Sequence, residues 1–150
     1  MFHPITYDEL HRTYLARFSG TLTEQDMIAF DAATVACRTL HGPADGLVDF
    51  TEVDLTEITT KQFVSRGMRP QIMTGHRRAV VANGLLFGMM RMFAAYQSRD
   101  DPEPMIIKHS LPEAYEALGL VACDFHPVAL GPPPIPVAPV LFDPGTPVPM

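Results

Sequence analysis

The chain of 150 residues contains no tryptophan and only two cysteines, Cys37 and Cys123. Two thiols cannot build the disulfide framework of a small secreted scaffold, and each reads as a buried, reduced side chain. Basic charge is also scarce. Eleven Lys and Arg stand against 17 Asp and Glu, a formal net charge of −6, and no basic run is present to draw in phosphates, so a nucleic-acid partner is not expected. No long hydrophobic run occurs. The most apolar stretch, Gly84 to Tyr96, is interrupted by Arg91 and is too short to cross a bilayer. The opening Met-Phe-His-Pro-Ile-Thr-Tyr-Asp-Glu-Leu10 lacks the basic and apolar regions of a secretory signal, which makes the cytoplasm the expected address.

Catalytic signatures are missing as well. There is no Gly-x-Ser-x-Gly elbow, no Walker loop and no Gly-x-Gly-x-x-Gly fingerprint. The six histidines, His3, His11, His41, His76, His109 and His126, are scattered, and no two stand at the i, i+2 or i, i+4 spacing that gives one metal two ligands. With no nucleophile–base pair, metal set or cofactor motif to name, the expectation is a protein that is not an enzyme and holds neither metal nor cofactor.

What the chain does contain is three short apolar runs, each followed by a helix-like segment. They are Gly46-Leu-Val-Asp-Phe-Thr51, Arg78-Ala-Val-Val-Ala-Asn83 and Met105-Ile-Ile-Lys-His109. Helices follow from Lys61 to Met68, from Gly84 to Tyr96 and from Ser110 to Leu118. Strand-length runs alternating with helical patterns predict parallel strands joined by crossover helices that cover the sheet. Ahead of them, Ile5 to Glu9 and Arg12 to Ser19 predict an antiparallel pair turning near Leu10 and His11. Tyr14, Ala16 and Phe18 share one face of the second strand, and Gly20 is expected to end it. Thr23-Glu-Gln-Asp26 supplies an N-cap hydroxyl and first-turn acids for a helix that His41-Gly42-Pro43 closes. The fold class is therefore α/β, a single mixed sheet of one antiparallel pair followed by parallel strands.

The domain is expected to run from residue 1 to 120, and the character of the chain changes after Leu120. Nine of the 15 prolines fall in residues 121–150, alongside Ile135, Val137, Val140, Leu141 and Phe142. Proline rules out a helix or an inner strand. The segment is too apolar for a solvated linker, so it is expected to lie as a proline-rich extended tail against its own domain or a neighbouring subunit, most simply in a homodimer.

Taken together, Leu47-Val-Asp-Phe-Thr-Glu-Val53, Arg78-Ala-Val-Val-Ala82, Phe87-Gly-Met-Met-Arg-Met-Phe93 and Leu111-Pro-Glu-Ala-Tyr-Glu-Ala-Leu118 resemble the bacterial SpoIIAA-like family, related in fold to STAS domains and CRAL-TRIO lipid-binding domains. The resemblance covers about Ile5 to Leu120. It implies a mixed sheet with an antiparallel first strand, and a family whose members mostly have no assigned activity. In the STAS regulators a serine after the Asp-bearing strand is phosphorylated. The equivalent stretch here, Asp54-Leu-Thr-Glu-Ile-Thr-Thr60, has no serine, so that function is not carried over.

Three groups of residues remain as candidates. Thr59 and Thr60 stand where a short helix begins, as caps or as a phosphorylated anion site. Asp49, Glu52, Asp54 and Glu57 share a predicted loop, either solvated or holding a divalent cation; Arg66, Arg69, Arg77 and Arg78 are expected to pair with it or to face water, the alternative being an anionic partner. The helix from Gly84 spreads its apolar side chains over about 220°, whereas one sheet needs an arc only a little over ~100°. Gly84 and Gly88 are read as letting it approach the sheet. Phe87, Met89, Met92, Phe93 and Tyr96 then form either core buried by neighbouring elements or a surface for a protein partner or a small, lipid-like apolar ligand. The leading functional expectation is a regulatory module acting through protein contacts, and the alternative is a carrier or sensor of such a ligand.

Overall fold

A computed structural model describes residues 1–69, 71–73, 75–97 and 104–128. Two strands open the chain, β1 (Thr6–Asp8) and β2 (Thr13–Leu22), followed by α1 (Glu24–His41), β3 (Asp45–Thr56), α2 (Thr60–Gly67), β4 (Arg78–Val81), α3 (Gly84–Gln97), β5 (Ile106–Lys108), α4 (Leu111–Leu118) and β6 (His126–Pro127). The strands lie in the order β5-β4-β3-β2-β1-β6. β1 runs antiparallel to β2 and β6, while β2, β3, β4 and β5 are mutually parallel, with Leu15 beside Leu47, Leu47 beside Ala79 and Ala79 beside Ile106. This is the expected mixed sheet.

Each parallel connection steps outward in the same direction. A right-handed crossover taken three times in one direction puts α1, α2 and α3 on one face. Tyr14, Ala16, Phe18, Phe50, Val80 and Ala82 point toward those helices and share a core with Met27, Cys37, Phe63, Met90 and Phe93. The alternate residues Leu15, Leu47, Ala79 and Val81 point to the other face, where α4 covers them with Ala114 and Leu118. Period-two alternation thus divides the four parallel strands, β2 to β5, between two cores.

The structure differs from expectation at several points. Gly20 does not end β2. It takes φ +65°, the left-handed conformation open to glycine, and the pairing with β3 shifts register there before continuing to Leu22. β3 likewise runs on to Thr56, so Glu52 and Asp54 belong to a strand and not to a loop. Threonine and acids read as loop here because Thr51, Glu52, Asp54 and Leu55 are exposed and only Val53 packs against the core. Gly84 and Gly88 do not permit a close approach to the sheet, since a Cβ at either would meet nothing within 4 Å.

Asp8 joins the first turn to the C-terminal segment. It is 2% exposed; its Oδ1 accepts from the His11 amide at 3.0 Å, and its Oδ2 faces His11 Nδ1 at 2.8 Å and accepts from the Asp124 amide at 3.0 Å. Residues 121–128 therefore return along the sheet, and β6 forms its edge beside β1, a position open to proline. The expectation that the tail docks against a surface concerns mainly residues 129–150, outside the described residues.

Candidate functional site

A cavity of about 310 Å³ lies between the sheet and helices α1 to α3. Protein cores normally leave few voids larger than a water molecule, whereas small-molecule pockets begin at ~300 Å³. Ala16, Phe50 and Val80 form its floor, Met27, Phe30 and Cys37 the α1 wall, and Met90 and Phe93 the α3 wall. The space exists because the floor carries small side chains, Ala16, Ala44 and Gly46, beneath helices held apart by larger ones.

Two buried protonated groups sit in this wall. The Tyr14 hydroxyl faces the Cys37 carbonyl at 2.9 Å and the Gly42 carbonyl at 3.0 Å, the turns that close α1. Burial pushes its ionisation up to about 12, assisted by the charges of Cys37 and Tyr7. Burial alone pushes the Cys37 thiol up to about 11, so near neutral pH it is a small apolar side chain and not a thiolate nucleophile.

The mouth is polar. Arg66 and Asp31 pair through two hydrogen bonds, one of them 2.8 Å from Nη1, and tie α2 to α1. Arg69 and Arg78 also line the cavity, and Arg78 Nη1 bonds Gln97 Oε1. Arg77 binds Asp45 at 3.0 Å. Arg66, Arg77 and Arg78 thus meet Asp31, Asp45 and Gln97 and not the candidate acids Asp49, Glu52, Asp54 and Glu57. Of those acids, Asp49 is buried and turned back on Thr51, accepting from its amide at 2.8 Å and its hydroxyl at 2.7 Å. The acids do not converge.

The candidate side chains of α3 are divided. Met89 and Phe93 are buried, Phe87 is half-buried and stacks on His109 with ring centroids 3.9 Å apart, and Met92 and Tyr96 are exposed. Leu85, which the sequence reading did not single out, is 76% exposed. α3 is positioned by α2: a Cβ on Gly67 would stand 3.0 Å from the Phe93 carbonyl and 3.2 Å from Tyr96 Cβ, so a larger residue there would push the two helices slightly apart.

Thr59 is the N-cap of α2. Its hydroxyl accepts from the Gln62 amide at 3.2 Å while Gln62 Oε1 accepts from the Thr59 amide at 2.8 Å, a complete capping box. Thr60 is the first helical residue and is exposed. Thr59→Ala is expected to lower stability by about 0.5–2 kcal/mol, and Thr60→Ala by much less, in urea denaturation followed by circular dichroism. Equal losses would show that the box is not what holds this helix end.

The fold is SpoIIAA-like. The structure of the anti-sigma factor antagonist SpoIIAA in its unphosphorylated form superposes with a TM-score of 0.52 at 14% identity, over 81% of this chain and 100% of that one. An uncharacterized DUF3478-family protein with a SpoIIAA-like fold from Shewanella loihica PV-4 superposes with a TM-score of 0.50 at 17% identity, over 78% of this chain and 93% of that one. No family model and no curated protein matches the sequence. Among the described residues no helix is long and apolar enough to cross a membrane.

Proposed function

We propose that the protein is a non-catalytic binding module of the regulatory kind, acting through contact with another protein. The observation that carries this reading is the outer face of α3. At 100° per residue, Leu85, Met92 and Tyr96 fall within an arc of about 40° and form one row roughly 16 Å long. They are 76%, 40% and 38% exposed. Scattered apolar residues on a surface need no explanation, but a row at helical spacing is the anchor pattern of helix-in-groove recognition. Kinship of fold with an anti-sigma factor antagonist, a protein defined by the protein it opposes, supports the same reading. Both cysteine thiols ionise above their ordinary value, which also speaks against nucleophilic chemistry.

A second reading, a carrier or sensor of a small apolar ligand, rests on the largely apolar cavity lined by Tyr14 and Phe50, with arginines also in its lining. One experiment separates the two. Full-length protein is released gently from its own cells and weighed by native mass spectrometry beside a Met92→Asp, Tyr96→Asp variant. The expected result is a mass that includes a protein partner, a second copy or a different chain, and that the variant loses. A bare monomer in both samples overturns the protein-contact reading, and a small co-purifying molecule in both favours the second.

A further inference from the structure

Three potential metal donors that are far apart in the sequence meet at the end of the sheet away from α3. Asp8 and His11 belong to the turn between β1 and β2, and Cys123 arrives 112 residues later because β6 pairs with β1. One donor atom from each lies within 4.8 Å of the other two. We propose that these three side chains form a zinc site, one that the proposed protein contact neither requires nor predicts.

The donor set selects the metal. Thiolate, imidazole and carboxylate together suit zinc, which accepts sulfur at ~2.3 Å and nitrogen or oxygen at ~2.0–2.2 Å. Tetrahedral bonds of those lengths place donor atoms about 3.3–3.6 Å apart, so rotation of the half-buried Cys123 and His11 side chains suffices. Charge agrees with the geometry. Asp8 is 2% exposed, and its partners among the described residues are two backbone amides and the His11 ring, none of them a permanent cation. A divalent cation balances the carboxylate and the thiolate. On binding, the Cys123 thiol gives its proton to solvent and the His11 ring turns a nitrogen lone pair to the metal; water fills the fourth position.

Backbone shape accords with this placement. Arg12 and Ala122, at φ +50° and +55°, are the only non-glycine residues with left-handed φ among the described residues, and they flank His11 and Cys123. The zinc would clamp residues 121–128 to the first turn.

The test uses the full chain, stripped with chelator, kept reduced and titrated with Co²⁺ as a coloured stand-in for zinc. Expected are one equivalent bound, the near-ultraviolet thiolate-to-cobalt band and visible absorption of four-coordinate strength, all discharged by one equivalent of Zn²⁺. Cys123→Ser should abolish the thiolate band, and His11→Gln should weaken binding at least a hundredfold. Both side chains are only half-buried, so the fold is expected to survive, checked by circular dichroism. No thiolate band in the wild-type protein, or a band that persists in Cys123→Ser, overturns the proposal.

Discussion

Stability is expected to fall steeply between about pH 9 and about pH 12, from the two protonated groups in the cavity wall. The unfolded chain ionises Cys37 near its ordinary value of 9.0 and Tyr14 near 10.0, whereas the folded protein holds these protons to about 11 and about 12. In this window the folded state binds more protons than the unfolded one, so the slope of unfolding free energy with pH is negative. The contribution is fully present below the unfolded values and is lost as pH rises toward the folded ones. At about 1.4 kcal/mol per unit, two units on each group amount to roughly 5 kcal/mol. That is comparable with the whole stability of many domains, ~5–15 kcal/mol. Other tyrosines and lysines also titrate there, so the decisive quantity is a difference in slopes. Urea denaturation at a series of pH values should give a much flatter curve for Tyr14→Phe, Cys37→Ala than for wild type, whatever the variant's absolute stability. Parallel curves would show that neither group is shielded as its burial requires.

Tyr14 also illustrates which features were legible in the sequence. Its face was readable because strand periodicity is strict: with Tyr14, Ala16 and Phe18 on one side, Leu15 has to join the opposite core. The caps were readable for a similar local reason, since Thr23 with Asp26 and Thr59 with Gln62 form boxes of fixed spacing. The outer half of β3 was not. Its Glu52, Asp54 and Leu55 are exposed, so no buried face marks Thr51 to Thr56 as strand, and pairing with β2 beyond Gly20 holds them instead. Partners of the arginines were equally hidden. Arg66 meets Asp31 across a helix pair 35 positions apart, a contact that depends on how α1 and α2 pack. The cavity leaves no sequence signal, because it arises where small side chains happen to face large ones. Nor could His11 have been assigned a partner beyond its own turn, since Cys123 and the Asp124 amide reach it only through the closing edge strand.

Phe18→Ala is expected to lower stability by about 3–5 kcal/mol. Phe18 is 1% exposed and sits at the centre of an aromatic group, with ring centroids 5.3 Å from Phe2, 5.6 Å from Phe30 and 4.9 Å from Phe50. The tilted and edge-on arrangements are those in which ring quadrupoles attract, adding ~0.5–1.5 kcal/mol per pair beyond burial. These contacts also hold three elements together: Phe2 lies on the segment bridged to β2, Phe30 on α1 and Phe50 on β3. Phe30 is the informative comparison. It borders the cavity and is only half-buried, so its ring is enclosed on fewer sides, and Phe30→Ala should cost no more than about half as much. Urea denaturation of the two single variants and the double variant gives the coupling directly. A Phe18→Ala loss below about 1.5 kcal/mol, or a Phe30→Ala loss equal to it, would mean that the core is not closed around Phe18. The wall between the aromatic group and the cavity would then be absent, and the space assigned to a ligand would be part of a loosely packed interior.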